Sequence, residues 1–124
     1  MNTIKHITQE ASPEPNFGIL TGVKEASFHE LIYVFHQMKK GDCLTLLHER
    51  SNPVNPWAVE VYFRGFKIGY LPETTGKITA RLIDRGVSVS AFLRNTPDPS
   101  HLFQAIELEL RAFIPGEQPL EKAV

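Results

Sequence analysis

Five histidines, one cysteine and fourteen Asp and Glu residues are the side chains of this 124-residue chain that could hold a metal or move a proton. Their spacing argues against both. His29 and His36 fall seven residues apart on one helical stretch, about 10.5 Å along a helix axis, too far to share an ion whose bonds to nitrogen are about 2 Å. His48 follows Cys43 by five residues, which puts the two on opposite faces of a strand. Cys43 stands beside Asp42, whose charge disfavours a thiolate. Glu107 and Glu109 share a strand face, and paired carboxylates can bind a divalent ion or divide acid and base roles. Arg111 continues their row, as on the solvent face of an antiparallel strand. No Walker A loop, GxGxxG or GxSxG sequence is present, so nucleotide hydrolysis and α/β-hydrolase chemistry lack their parts. The expectation is a protein without catalytic residues, cofactor or metal.

A second set of residues suits binding. Arg50 enters a loop that carries two Asn-Pro pairs, Asn52-Pro53 and Asn55-Pro56; Trp57 leaves it, and Tyr70 ends a strand soon after. Stacked turn formers make a rigid loop, and rigid loops on a β scaffold are where binding groups concentrate. A cation, two amides and two aromatics at one rim could contact phosphate and stack on bases. Each also has a structural role open to it. Trp57 alternates with Val59 and Val61 and can point into a core, Asn52 can hold its own loop backbone, and Tyr70 can cap a core with its hydroxyl in water.

Elements that would position these residues are legible from hydrophobic periodicity. Phe17 to Val23 reads as a strand. Ser27 and Glu30 form a capping-box pattern before Phe28, Leu31, Ile32 and Phe35 at helical spacing, with Gly41 as the stop. From Asp42 the period changes to two: one strand runs to about Glu49, and a half-buried one starts at Trp57. Arg64-Gly65 then turns into a short strand, Phe66 to Tyr70. Pro72 opens a helix to about Arg85 with Ile78 and Leu82 on its buried face, and strands follow at Val87 to Leu93 and around Ile106 to Leu110. The expected fold is mainly β with two helices, a small antiparallel OB-like or SH3-like β-barrel. Residues 1–16 are expected as a lead-in, 17–114 as the domain and 115–124 as a tail.

Composition is that of one soluble globular domain, with 42% hydrophobic and 22% charged residues. No apolar run reaches the ~20 residues of a membrane span, and the first residues lack a signal-peptide pattern, so a cytoplasmic protein without membrane association is expected. One cysteine excludes an internal disulfide. The net charge of -1 divides unevenly. Residues 24–94 carry ten cations against seven anions, and the two ends together carry three against seven, a weak dipole able to steer a polyanion.

Residues 41–86, GDCLTLLHERSNPVNPWAVEVYFRGFKIGYLPETTGKITARLIDRG, resemble the HIRAN domain, a small barrel found fused to helicases and as stand-alone bacterial proteins; the latter is the expected type. The resemblance runs through GDCLTL, HER, NPVNPWAV, KIGYLP and LIDRG, and with FGILTGV as the first strand it spans about 17–113. It implies an OB-like domain that captures the 3′ end of single-stranded DNA in repair or replication, working with a helicase or other repair protein. It assigns Lys24 to a phosphate-binding arginine position, Asn55 to an acid that accepts the 3′-hydroxyl, Tyr70 to the GYLP position and Phe103 to a downstream stacking aromatic. Glu25-Ala26 and Val54 stand where the family has aromatics. The expected nucleic-acid site is therefore Lys24, Arg50, Asn52, Asn55, Trp57, Tyr70 and Phe103. The alternative is a protein-interaction or scaffold domain that kept the barrel and lost the DNA-end site, with Tyr33, His29 and His36 on an exposed helix as its contact surface; a metal-assisted nuclease using Glu107 and Glu109 is the third.

Overall fold

The structure, a computed structural model, describes residues 14–26, 30–97 and 106–116. In chain order the elements are β1 (Phe17–Gly22), α1 (Leu31–Val34) with a 3-10 turn (Phe35–Gln37), β2 (Cys43–His48), β3 (Val59–Phe63), β4 (Phe66–Tyr70), α2 (Glu73–Asp84), β5 (Val89–Leu93) and β6 (Glu107–Ala112). The six described strands form one antiparallel sheet in the order β1-β6-β5-β2-β3-β4. Alternation decides what faces inward: Leu44 of β2, Val59, Val61 and Phe63 of β3, Ala91 and Leu93 of β5, and Leu108 and Leu110 of β6 are all buried in one core with Leu31, Val34 and Met38.

The expected closed barrel does not form. The sheet is open, a mixed α/β arrangement with β1 and β4 at its edges. Those edges meet at one residue pair, where Lys24 and Tyr70 exchange backbone hydrogen bonds of 2.7 and 3.0 Å. Two local features stop that bridge growing into a ladder. Glu25 takes a positive φ of 62°, which turns the chain out of the extended path at once. Farther along, Glu30 occupies the β4 edge: its backbone N–H donates to the Lys67 carbonyl at 2.8 Å, and its carboxylate accepts the Lys67 N–H at 2.9 Å. An edge strand left bare would invite pairing with another chain; here Glu30 occupies its Lys67 position.

Other expectations shift by small amounts for identifiable reasons. The first helix is one turn and a 3-10 continuation, and Glu30 serves β4 rather than a capping box; Ser27 and Phe28 lie outside the described residues. β3 starts at Val59, two residues after Trp57, and is covered on both faces, since the outward Glu60 is also buried. In α2 the buried side is Gly76, Thr79, Ala80 and Leu82, while Ile78 is exposed. The small residues let the helix lie close to the loop before β3: a Cβ on Gly76 would sit 3.4 Å from the Trp57 carbonyl oxygen. Gly86, at φ 86°, ends α2 in a Schellman arrangement, with Val87 N–H on the Leu82 carbonyl and Gly86 N–H on that of Ile83.

Candidate nucleic-acid interface

The loop from Glu49 to Ala58 is built by its two asparagines. Asn52 Oδ1 accepts the backbone N–H groups of Val54 at 2.9 Å and Asn55 at 2.8 Å, and Asn55 Oδ1 accepts that of Trp57 at 3.0 Å. These side chains replace backbone partners that a proline-rich turn cannot supply. The loop is closed at its base by Glu49 N–H on the Ala58 carbonyl, 2.8 Å. His48, buried at the end of β2, secures it from beneath: Nε2 lies 2.7 Å from the Pro56 carbonyl oxygen and Nδ1 lies 2.8 Å from Asp84 Oδ1.

Next to this loop a cleft of about 370 Å³ is lined by Lys24, Glu25, Asn52, Pro53, Val54, Asn55, Tyr70 and the start of α2. Val54 stands at its lip, 90% exposed. The Tyr70 hydroxyl donates to Glu49 Oε1 at 2.8 Å and accepts from Lys67 Nζ at 2.7 Å. Lys67 also pairs with Glu60 Oε2 at 2.9 Å, which accepts the Tyr62 hydroxyl at 3.3 Å. Asn52 Nδ2 donates to the same Glu49 oxygen at 3.0 Å. One continuous network thus joins the loop to the sheet's outer face. Hydrogen bonds from Asn52 and Tyr70 hold the Glu49 carboxyl below its ordinary range. Burial opposes the charge on Lys67, but the Tyr70 hydroxyl and the Glu60 carboxylate outweigh it and hold the ammonium above its ordinary range. Burial raises the Tyr70 phenol, so it remains a neutral donor to Glu49.

The sequence-predicted residues divide between two places. Lys24, Asn52, Asn55 and Tyr70 converge on the cleft although they come from three separate segments. Arg50 and Trp57 sit on the α2 side. Arg50 is paired with Asp84 at 2.6 Å, and the half-buried Trp57 ring stacks on His48, 6.2 Å between centroids, with the Arg81 guanidinium 5.2 Å above it. Phe103 lies outside the described residues. Sequence reasoning misses Glu49 and Lys67, which orient Tyr70. The Arg64-Gly65 hairpin carries the signal for Lys67, because a two-residue turn puts it opposite Tyr62.

Elsewhere the outer face of β5 and β6 bears Arg94 and Arg111, both on Glu109 at 3.6 and 3.1 Å, with Arg111 also over the Phe92 ring. The carboxylate row expected there is tied up in ion pairs through Glu109. Among the described residues no group of three His, Cys, Asp or Glu is placed to hold a metal ion, and no helix is long and apolar enough to cross a membrane.

Comparison with known proteins gives a consistent result. The family profile of the HIRAN domain matches residues 22–112. A Fanconi-associated nuclease 1 homolog of Oryza sativa subsp. japonica is 36% identical over 62 residues, 47% of this chain and 6% of the relative's length; the chain spans only a small part of that protein. The crystal structure of the HIRAN domain of human HLTF superposes with a TM-score of 0.66 at 13% identity, covering 80% of this chain and 77% of that one. A protein from Lactobacillus plantarum superposes with a TM-score of 0.65 at 18% identity, covering 79% and 98%. At those identities the two structures speak to the fold alone.

Proposed function

The chain belongs to the HIRAN domain family, and from that premise we propose that it is a non-enzymatic module whose Asn-Pro cleft binds the end of single-stranded DNA. The observation that carries this reading is the convergence of Lys24, Asn52, Asn55 and Tyr70 on one cleft. The site recognises by hydrogen bonding and shape more than by charge, since Lys24 is offset by Glu25 and Glu73 at its walls. Lys24 meets a phosphate oxygen as a point charge rather than a fork. Asn55 Oδ1 already accepts Trp57 N–H, so its amide group offers donors to a terminal sugar oxygen. Tyr70 supplies a ring edge held in place by Glu49 and Lys67. Val54 gives apolar contact where an aromatic would stack, and a missing stacked base costs about 1–3 kcal/mol; affinity is accordingly modest.

Fluorescence anisotropy with short oligonucleotides bearing a free or a phosphorylated 3′ end tests the proposal at low salt. The free end should bind more tightly, and Asn55→Ala should narrow that difference. Absence of binding to either would end the reading, and equal binding would remove its end-specific part. A second reading, a protein-docking module, has its own support in Ile32 and Tyr33 of α1, exposed at 55% and 67%. Binding of DNA that is insensitive to the cleft variants, together with capture of a partner abolished by Tyr33→Ala, would favour it.

A further inference from the structure

Helix α2 begins at the cleft, where Glu73 forms part of the wall, and runs away from it for twelve residues, about 18 Å at 1.5 Å per residue. Its exposed face carries Lys77 and Arg81, four residues and about 6 Å apart along the axis, and the exposed Arg85, four residues further, caps its C-terminal end. Four other cations are consumed by carboxylates: Arg50 by Asp84, Lys67 by Glu60, Arg94 and Arg111 by Glu109. Lys77, Arg81 and Arg85 have no carboxylate within ion-pair distance among the described residues, and unlike the other such cations, Lys24, Lys39, Lys40 and Arg64, they stand three along one helix. Arg81 is fixed in place over the Trp57 ring at 5.2 Å, which orders one guanidinium in the middle of the row. Asp84, the carboxylate at the far end of the helix, is itself engaged by His48 and Arg50.

We infer that this row is a second contact surface, a track for the phosphates of a single strand whose terminal nucleotide lies in the cleft. The inference rests on the cleft reading and extends it: the cleft holds the end, and α2 holds the chain behind it. Three cations that no carboxylate of the described residues neutralises can displace counterions from a backbone, the dominant source of affinity and salt dependence in nucleic-acid binding. The cleft, with Lys24 set against two carboxylates, cannot supply that attraction. The same arrangement gives a place to Arg50 and Trp57, which the fold puts beside α2 and away from the cleft.

The test uses the full chain, a trinucleotide long enough only for the cleft, and a ten-nucleotide strand, each with a free 3′ end. Lys77→Gln and Arg85→Gln are combined, since both side chains are exposed and glutamine suits a helix; Arg81 is left because it packs on Trp57. The double variant should bind the trinucleotide as the unchanged chain does, which also reports that it is folded. It should bind the longer strand roughly tenfold more weakly at low salt. Its slope of log K against log salt should be shallower by about 1.4, since each phosphate no longer neutralised removes about 0.7 from the slope on a single strand. Equal affinity and slope for the longer strand would overturn the track and leave the cleft standing. If the unchanged chain binds neither oligonucleotide, the cleft reading and the track both fall. If it binds the longer strand alone and the double variant abolishes that binding, α2 is a phosphate-binding surface in its own right, and both the cleft reading and the track leading from it fall.

Discussion

The outer face of β5 and β6 and the face around the Asn-Pro loop contain the same kinds of side chain and dispose of them differently. On β5 and β6, Glu109 is shared by Arg94 and Arg111 at the surface, and Arg111 folds over Phe92. The cations there are satisfied by the protein itself. Around the loop, Glu49 is satisfied largely by neutral donors, Asn52 and Tyr70, and the one strongly sheltered ion pair among the described residues, Glu60 with Lys67, lies on β3 and β4 where it orients Tyr70. Charge near the loop is thus used to fix the shape of a site, whereas charge on β5 and β6 is neutralised in place. The presence of arginines and aromatics together says little about binding until their internal partners are known.

The sharpest way to break this contrast is to cut the sheltered pair. Glu60→Ala leaves the Lys67 ammonium without its buried partner and should cost about 3 kcal/mol, near the low end for a buried pair because Lys67 keeps some exposure; urea unfolding measures it. Gly69→Ala comes next. A Cβ at that position would lie 2.4 Å from Val23 Cγ1 and 2.6 Å from the Lys24 carbonyl oxygen, so the Lys24–Tyr70 bridge must open at a cost of about 2 kcal/mol. Lys24 should then leave its place in the cleft, read as a drop in oligonucleotide affinity beyond what the remaining stability explains. Asn52→Ala removes the acceptor for two loop N–H groups and should cost about 1 kcal/mol, with amide exchange accelerating at Val54 and Asn55 and not in β6.

Acid should act on the two faces through different groups. Because the folded Glu49 carboxyl lies below its ordinary value of 4.5, it contributes stability above pH 4.5, and that contribution is lost as pH falls through its lowered folded value. Glu49→Gln should therefore flatten the acid limb of a stability-against-pH curve measured by circular dichroism. The smallest effect is expected from Glu109→Ala. Its ion pairs are exposed to solvent and screened, so the urea midpoint at neutral pH should stay within experimental error of the unchanged chain. A large loss would mean that the surface cluster is structural after all.

Much of this is legible in the sequence where local physics decides. The Arg64-Gly65 turn takes positive φ at both residues, 50° and 86°, as a two-residue hairpin requires, and β4 falls on Phe66–Tyr70 as its alternation predicts. The asparagine-built loop follows from two Asn-Pro pairs. Long-range outcomes are not readable in the same way. Glu25 at positive φ and Glu30 on the β4 edge decide that the sheet stays open, and nothing in a strand pattern announces either. Trp57 reads as a strand residue pointing into a core; it lies before β3 and does pack against the core, but its contacts with His48 and Arg81 depend on where α2 docks. Arg50 is legible as a loop cation, but its pairing with Asp84, thirty-four residues away in sequence, is not. Within the cleft, residue types point to Lys24, Asn55 and Tyr70 through family resemblance, while Glu49 and Lys67 gain their roles from the place of Tyr70, which pairs with Glu60 only beyond a register shift between Val61 and Tyr62.

The central claim, that the Asn-Pro cleft and not the β5–β6 face meets single-stranded DNA, is tested most directly by amide chemical-shift mapping. A short oligonucleotide with a free 3′ end is titrated into the ¹⁵N-labelled chain at low salt. The account predicts saturable shifts at Lys24, Asn52, Val54, Asn55 and Tyr70, with Phe92, Arg94, Glu109 and Arg111 unmoved. Shifts concentrated on the latter residues, or none anywhere at saturating oligonucleotide, would contradict it.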